Sequence, residues 1–198
     1  MKIALRINVI GWALGLMLWT HGLAAAGEPT EGICAAINQG VEILNQSKLA
    51  KTERAETIGR LKTIVYPMFD FAEMARRSLA FYWKRLDPHQ QNTFVAAFTE
   101  LLEKTYADKI DLYEGQKVAY TGETMDSQYA TVNTKIVSKN DQAFSADYKL
   151  RRVEGKWKIY DVVVEGISLV NNYRAQFSRV IERSSFEELI RSMQQKAA

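Results

Sequence analysis

The chain has 198 residues, 47% of them hydrophobic, and a net charge of +3. That length suits one domain with a real core, and so small a positive charge gives no electrostatic footprint for nucleic acid. A single cysteine, Cys34, excludes an internal disulfide, so stability must come from the apolar core.

The chain opens with Lys2 and Arg6, an apolar run from Ile7 to Trp19 interrupted by Asn8, and then Ala24-Ala25-Ala26. This is the order of a secretory signal with a small-residue cleavage site. The run is shorter than the ~18–20 residues of a membrane span, and Cys34 lies too far beyond it for a lipoprotein-type anchor. The expectation is a signal peptide over 1–26 and one soluble domain over 27–198. Losing Lys2 and Arg6 lowers the charge by two, leaving a nearly neutral chain.

From Gly32 to Asn45, Ile33, Ile37, Val41 and Leu44 recur at helical spacing. Thr52 to Val65 carries Ile58, Leu61 and Val65 in the same way. After Pro67, Asp70 and Glu73 form a capping pair for a helix with Phe71, Met74, Ala75 and Leu79. Asp87-Pro88-His89-Gln90 starts the longest predicted helix, with Asp as cap and Pro at the first position. Its stripe is Phe94, Phe98, Leu101, Leu102, Thr105 and Ile110.

The period changes to two at Gln116. Val118 and Tyr120, then Val132, Thr134 and Ile136, then Phe144, Ala146, Tyr148 and Leu150, alternate with more polar residues. Glu154-Gly155 is a tight turn into a fourth strand, Trp157 to Glu165, in which Val162-Val163-Val164 breaks the alternation. Four strands joined by short turns predict an antiparallel meander. Glu165-Gly166 then turns the chain, and Ser168 caps a helix bearing Val170, Tyr173, Phe177, Val180 and Ile181. Ser184 with Glu187 reads as the capping box of a last helix with Leu189 and Met193. Helices before and after one antiparallel sheet make the class α+β.

Catalytic chemistry is sparse. Beyond the signal the one histidine is His89, at a helix start, and no metal-ligand spacing, nucleophile elbow or phosphate loop occurs. Cys34 has no activating base near it in sequence and reads as a small hydrophobe. Asp161 and Glu165 lie four apart on a strand and would share a face, as an acid–base pair or as a salt-bridged pair. Arg76-Arg77 with Lys84-Arg85 is a basic cluster that fits a docking patch for an acidic partner or lipid headgroups, or a solvated helix face.

Three segments carry a resemblance: DFAEMARRSLAFYW at Asp70–Trp83, the stretch Leu86–Tyr113, and GKWKIYDVVVEGISLVNNYR at Gly155–Arg174. The last holds W-x-x-Y-D-x-x-x-E-G-x-S at Trp157, Tyr160, Asp161, Glu165, Gly166 and Ser168. Together they resemble the MlaC, or toluene-tolerance auxiliary, family of Gram-negative bacteria. The resemblance implies a twisted four-stranded NTF2-like antiparallel sheet wrapped by N- and C-terminal helices around an apolar pocket. It implies a periplasmic monomer that is not an enzyme. Such a carrier holds phospholipid acyl chains, needs no cofactor or metal, and serves outer-membrane lipid asymmetry. Its implied partners are an inner-membrane MCE-domain/ABC transporter complex and an outer-membrane lipoprotein–porin complex. A hopanoid-associated branch shares the fold, which makes hopanoid an alternative cargo.

On that reading the expected lipid-binding residues are Met74 and Phe98 from helices and Val132, Ile136, Phe144 and Tyr148 from the strand face. Val162, Val164, Ile167, Val170 and Tyr173 complete the set. A filled core would show the same pattern. An NTF2-like enzyme with Asp161, beside Tyr148, in its cavity is the competing reading. A further one is a non-catalytic adaptor with no cavity.

Overall fold

A computed structural model of the chain describes residues 27–50, 53–107 and 113–197, with the side chains of 49 and 50 excepted. The expected signal peptide, Thr52 and Ile110 lie outside the described residues. Six α-helices and five strands occur among them: α1 Glu28–Ala50, α2 Arg54–Val65, α3 Phe71–Leu79, α4 Pro88–Ala107, β1 Lys117–Met125, β2 Tyr129–Val137, β3 Ala143–Val153, β4 Lys156–Val164, β5 Ile167–Ser168, α5 Leu169–Arg183 and α6 Phe186–Ala197. Short 3-10 turns at Tyr66–Met68 and Ala80–Arg85 follow α2 and α3. No described helix is long and apolar enough to cross a membrane.

The local signals act where the side chains can reach. Asp70 Oδ1 accepts from Glu73 N at 3.0 Å and starts α3. Asp87 Oδ1 accepts from Gln90 N at 2.8 Å while Gln90 Oε1 accepts from Asp87 N at 3.0 Å, a reciprocal capping box for α4. Ser168 Oγ accepts from Asn171 N at 3.0 Å and starts α5. At α6 the expected cap is displaced by one residue. Ser185 Oγ, not Ser184, accepts from an amide, that of Glu188. Ser184 is still committed to α5, its N–H donating to Val180 O.

The sheet is an antiparallel meander in the order β1-β2-β3-β4-β5. It has one strand more than the sequence pattern predicts. Glu165 (φ 49°) and Gly166 (φ 77°) form a two-residue turn of left-handed conformers, as Glu154 and Gly155 do between β3 and β4. The turn folds Ile167–Ser168 back onto Val163–Val164, which makes β5.

Two bulges reset the faces. Thr121 is the extra residue of β1 against β2, and Tyr160 the extra residue of β4 against β3. Ile159 therefore pairs with Leu150, and Asp161 with Lys149, neighbours that point to opposite faces. Simple alternation would have put Ile159 and Asp161 together. The shared face expected for Asp161 and Glu165 also fails, because Glu165 is in the turn and no longer in the strand.

The apolar core has two centres. One is helical: Phe94, Phe98 and Leu101 of α4 pack with Tyr173 and Phe177 of α5, Leu189 and Met193 of α6, and Met74 and Leu79 of α3. The other lies under the sheet, where Ala130, Val132, Leu150 and Ile159 meet Ile33 of α1. Phe69 packs against both. It is pinned to β4 by a parallel bridge to Ile159, with Asp70 N donating to Ile159 O at 2.8 Å.

Candidate functional site

Between the two centres lies a cavity of about 620 Å³, within the ~300–1,000 Å³ of small-molecule sites. One wall is α2, through Ile58, Leu61 and Val65. The opposite wall is the C-terminal half of α4, through Thr99, Leu102 and Tyr106, with Phe71 and Met74 of α3 beside it. Val162 and Val164 of β4 and Ile167 and Leu169 beyond the turn form the side towards the sheet. Stacked Phe69 and Phe71 (centroids 5.6 Å apart) and Tyr66 edge-on to Phe71 (5.2 Å) line the space between them.

These walls are largely apolar, and the Thr99 hydroxyl among them is occupied within its own helix. Thr99 Oγ1 donates to Val95 O at 2.8 Å, so its polar atom is spent inside α4. The mouth is marked by exposed apolar side chains: Val65 at 40%, Tyr106 at 47%, Val164 at 42% and Ile167 at 66%. Apolar groups left in water next to an apolar hollow mark a binding surface.

Polar chemistry enters at few points. Lys62 Nζ and Glu103 Oε1 form an ion pair between α2 and α4, and the Tyr66 hydroxyl donates to Glu103 Oε2. Burial pushes the Glu103 carboxyl up, but hydrogen bonds from Lys62 and Tyr66 outweigh it and hold it below the usual range. Burial, then the Glu103 carboxylate, push the Tyr66 hydroxyl well above the ordinary tyrosine value. Glu165 lines the mouth and is fixed from β3: its N–H donates to Ser145 O at 3.1 Å and its carboxylate accepts from Ser145 N.

Met74, Val162, Val164 and Ile167 line this cavity. The other sequence candidates lie elsewhere. Phe98, Val170 and Tyr173 are inside the helical core. Val132 and Tyr148 belong to the core under the sheet. Ile136 pairs with Phe144 on β2 and β3, where Phe144 is 39% exposed. Simple alternation marks one whole strand face, whereas the helices close over only part of it. The α2 wall and the Tyr66–Glu103–Lys62 group carry no sequence signal beyond an ordinary helix face.

Asp161 is not among the cavity-lining residues. It is 5% exposed, and its two oxygens accept from Ser168 Oγ at 2.6 Å and Val170 N at 3.0 Å. Both bonds hold the first turn of α5 to β4, a capping task. The Asp161–Tyr148 pair of the enzyme reading is therefore not assembled in the cavity. Among the described residues no group of three or more His, Cys, Asp or Glu could hold a metal.

The basic cluster is largely occupied. Glu73, 5% exposed, takes Arg76 Nε at 2.7 Å and Arg77 Nε at 2.6 Å, with Arg151 NH1 at 3.5 Å. Arg151 Nε stands 2.8 Å from Asp70 Oδ2, an ion pair whose N–H is not aligned on the oxygen. Arg77 also stacks on Tyr160 at 4.1 Å, and Arg85 on Phe81 at the same distance. Burial opposes ionisation of Glu73, and its arginines still hold its carboxyl below the ordinary range.

A family model described as MlaC protein matches residues 35–195. The intermembrane phospholipid transport system binding protein MlaC of Haemophilus influenzae is 28% identical over 78% of this chain and 74% of its own length. Toluene tolerance protein ttg2D of Pseudomonas putida is 25% identical over 63% of this chain and 59% of its own. A phospholipid-binding protein from Ralstonia solanacearum, solved in complex with a phospholipid, superposes with a TM-score of 0.76 at 22% identity. That match covers 86% of this chain and 97% of the other, and shows a shared fold.

Proposed function

We propose, from the premise that this chain belongs to the MlaC family, that it is a lipid carrier that shelters phospholipid acyl chains in the cavity between α2, α4 and β4. The observation that carries the reading is the cavity itself: about 620 Å³ with almost wholly apolar walls and an apolar mouth. Each methylene moved from water into such a site is worth ~0.8 kcal/mol. A bound chain is therefore held without a catalytic group, and the lipid is cargo and not cofactor. The phospholipid named for the Haemophilus and Ralstonia proteins supports the cargo class.

In this reading residues 1–26 direct export and 27–198 form one lipid-binding domain in the periplasm. The carrier moves lipid between an inner-membrane ABC transport complex and an outer-membrane complex, which serves the asymmetry of the outer membrane. Hopanoid is the alternative cargo, because an apolar cavity also suits a fused-ring lipid.

Protein purified natively from a Gram-negative host, extracted with organic solvent and examined by lipid mass spectrometry, is expected to release stoichiometric phospholipid. Stoichiometric hopanoid would change the cargo and keep the carrier. Repeated absence of any lipid would overturn the reading.

A further inference from the structure

Among the described residues, three charged side chains line the cavity: Lys62, Glu103 and Glu165. Lys62 and Glu103 keep 38% and 31% of their side-chain surface in solvent. Met74 and Leu102, deeper in the same walls, keep 0% and 5%. The pair stands one helical turn from exposed Val65 on α2 and from exposed Tyr106 on α4. It is therefore part of the mouth. A lipid entering tail first leaves its phosphate and headgroup there, because burying those charges is costly.

The signs at the mouth are one cation and two carboxylates. Tyr66 donates to Glu103 and Lys62 faces it, so the carboxylate is kept ionised. Arg54, another cation of α2, does not line the cavity, and its NH2 donates to Ala107 O at 3.2 Å. A headgroup carrying both a phosphate and a primary ammonium answers the pair twice, phosphate to Lys62 and ammonium to Glu103. The four charges then alternate in sign. A headgroup with a phosphate and an uncharged polyol answers Lys62 alone, and sets a further negative charge beside Glu103 and Glu165.

We propose that the Lys62–Glu103 pair at the cavity mouth selects cargo by headgroup charge, favouring zwitterionic phospholipids with a primary ammonium over anionic ones. The proposal rests on the lipid-carrier reading and goes beyond it by assigning specificity to named residues. Tyr66 is the positioning residue, fixing the Glu103 carboxylate, and Glu165 adds negative charge at the mouth.

The purified protein is equilibrated with a large excess of vesicles holding equimolar phosphatidylethanolamine and phosphatidylglycerol with identical acyl chains. It is then re-isolated, and the bound lipids are quantified by mass spectrometry. The expected bound ratio favours the ethanolamine lipid at least threefold over the vesicle ratio. Glu103→Gln is expected to bring it close to the vesicle ratio, and Glu165→Gln to lower it part of the way. A wild-type ratio equal to that of the vesicles overturns headgroup selection and leaves the carrier standing. Enrichment that persists in Glu103→Gln overturns the assignment to this pair. Failure of the wild type to take up either lipid overturns the carrier reading beneath it. Should Glu103→Gln fail to fold, Glu165→Gln with the wild-type ratio decides, with a lowered ethanolamine preference expected and an unchanged one contrary.

Discussion

The two halves of α4 have the same kind of apolar stripe and opposite surroundings. From its N-terminal end to its middle it sets Phe94 and Phe98 among Tyr173 and Phe177, with ring centroids 5.1–5.5 Å apart, and α6 lies over them. Its C-terminal half sets Leu102 and Tyr106 against a hollow, with α2 on the other side. The difference is in the partners and not in the stripe. Where α5 and α6 lie directly on the helix the space is filled. Where α2 stands off, tied by Lys62 and Tyr66 to Glu103, the space remains. A continuous amphipathic helix thus supplies a rigid anchor at one end and a cavity wall at the other.

The sharpest way to break this comparison is to truncate one residue in the filled region and one on the α2 wall across the hollow. Phe98→Ala removes a fully buried ring and is expected to cost ~3–5 kcal/mol, read from urea unfolding of lipid-free protein. Leu61→Ala, on the wall facing the hollow, should cost about 1 kcal/mol, since it removes a half-buried side chain with fewer neighbours to lose. Equal losses at the two sites would mean that the hollow is packed.

Enlargement should separate the filled site from the hollow in the same sense. Ala97→Phe puts a ring into a filled site and is expected to lose ~1–3 kcal/mol. Thr99→Phe, two residues on but facing the cavity, should change stability by no more than ~0.5 kcal/mol while bound lipid falls several-fold. A Thr99→Phe protein with full lipid content would remove α4 from the cargo site.

The smallest effect concerns the tie across the hollow. The folded Glu103 carboxyl lies below its unfolded value, so its contribution is complete above ~4.3 and is lost as pH falls through the folded value. Both partners are about one-third exposed, which limits it to under ~1 kcal/mol. Wild type should therefore exceed Glu103→Gln in stability at pH 6, and the difference should vanish in stronger acid. A difference that does not change between pH 6 and pH 2 would mean that the pair contributes no charge-dependent stability.

Much of the architecture is legible because it is local. Asp70, Asp87 and Ser168 cap helices through contacts only three residues away, and Glu154-Gly155 makes its turn within itself. The bulges at Thr121 and Tyr160 are not legible, because they depend on which residue the neighbouring strand offers opposite. β5 is a two-residue strand, too short for any period to register. The cavity is the least legible feature. Ile58, Leu61 and Val65 have the spacing of a helix face, and a face is the same string of residues whether a side chain or empty space lies against it. A pair such as Lys62 and Glu103, 41 positions apart, reads as two solvated charges until the fold sets them together.

The Glu165-Gly166 turn has a further consequence, for how copies of this protein treat one another. A strand with free backbone groups along its flank invites a strand from another molecule. At the flank of β4, β5 occupies Val163 and Val164, and Phe69 and Asp70 occupy Ile159. The chain then enters α5, whose Val170 and Asn171 amides are taken by Asp161 and Ser168. The opposite flank belongs to β1, bent by the bulge at Thr121 and bearing Lys117 and Glu123. A molecule that keeps an apolar mouth open in water thus limits strand-to-strand polymerisation at both ends of its sheet.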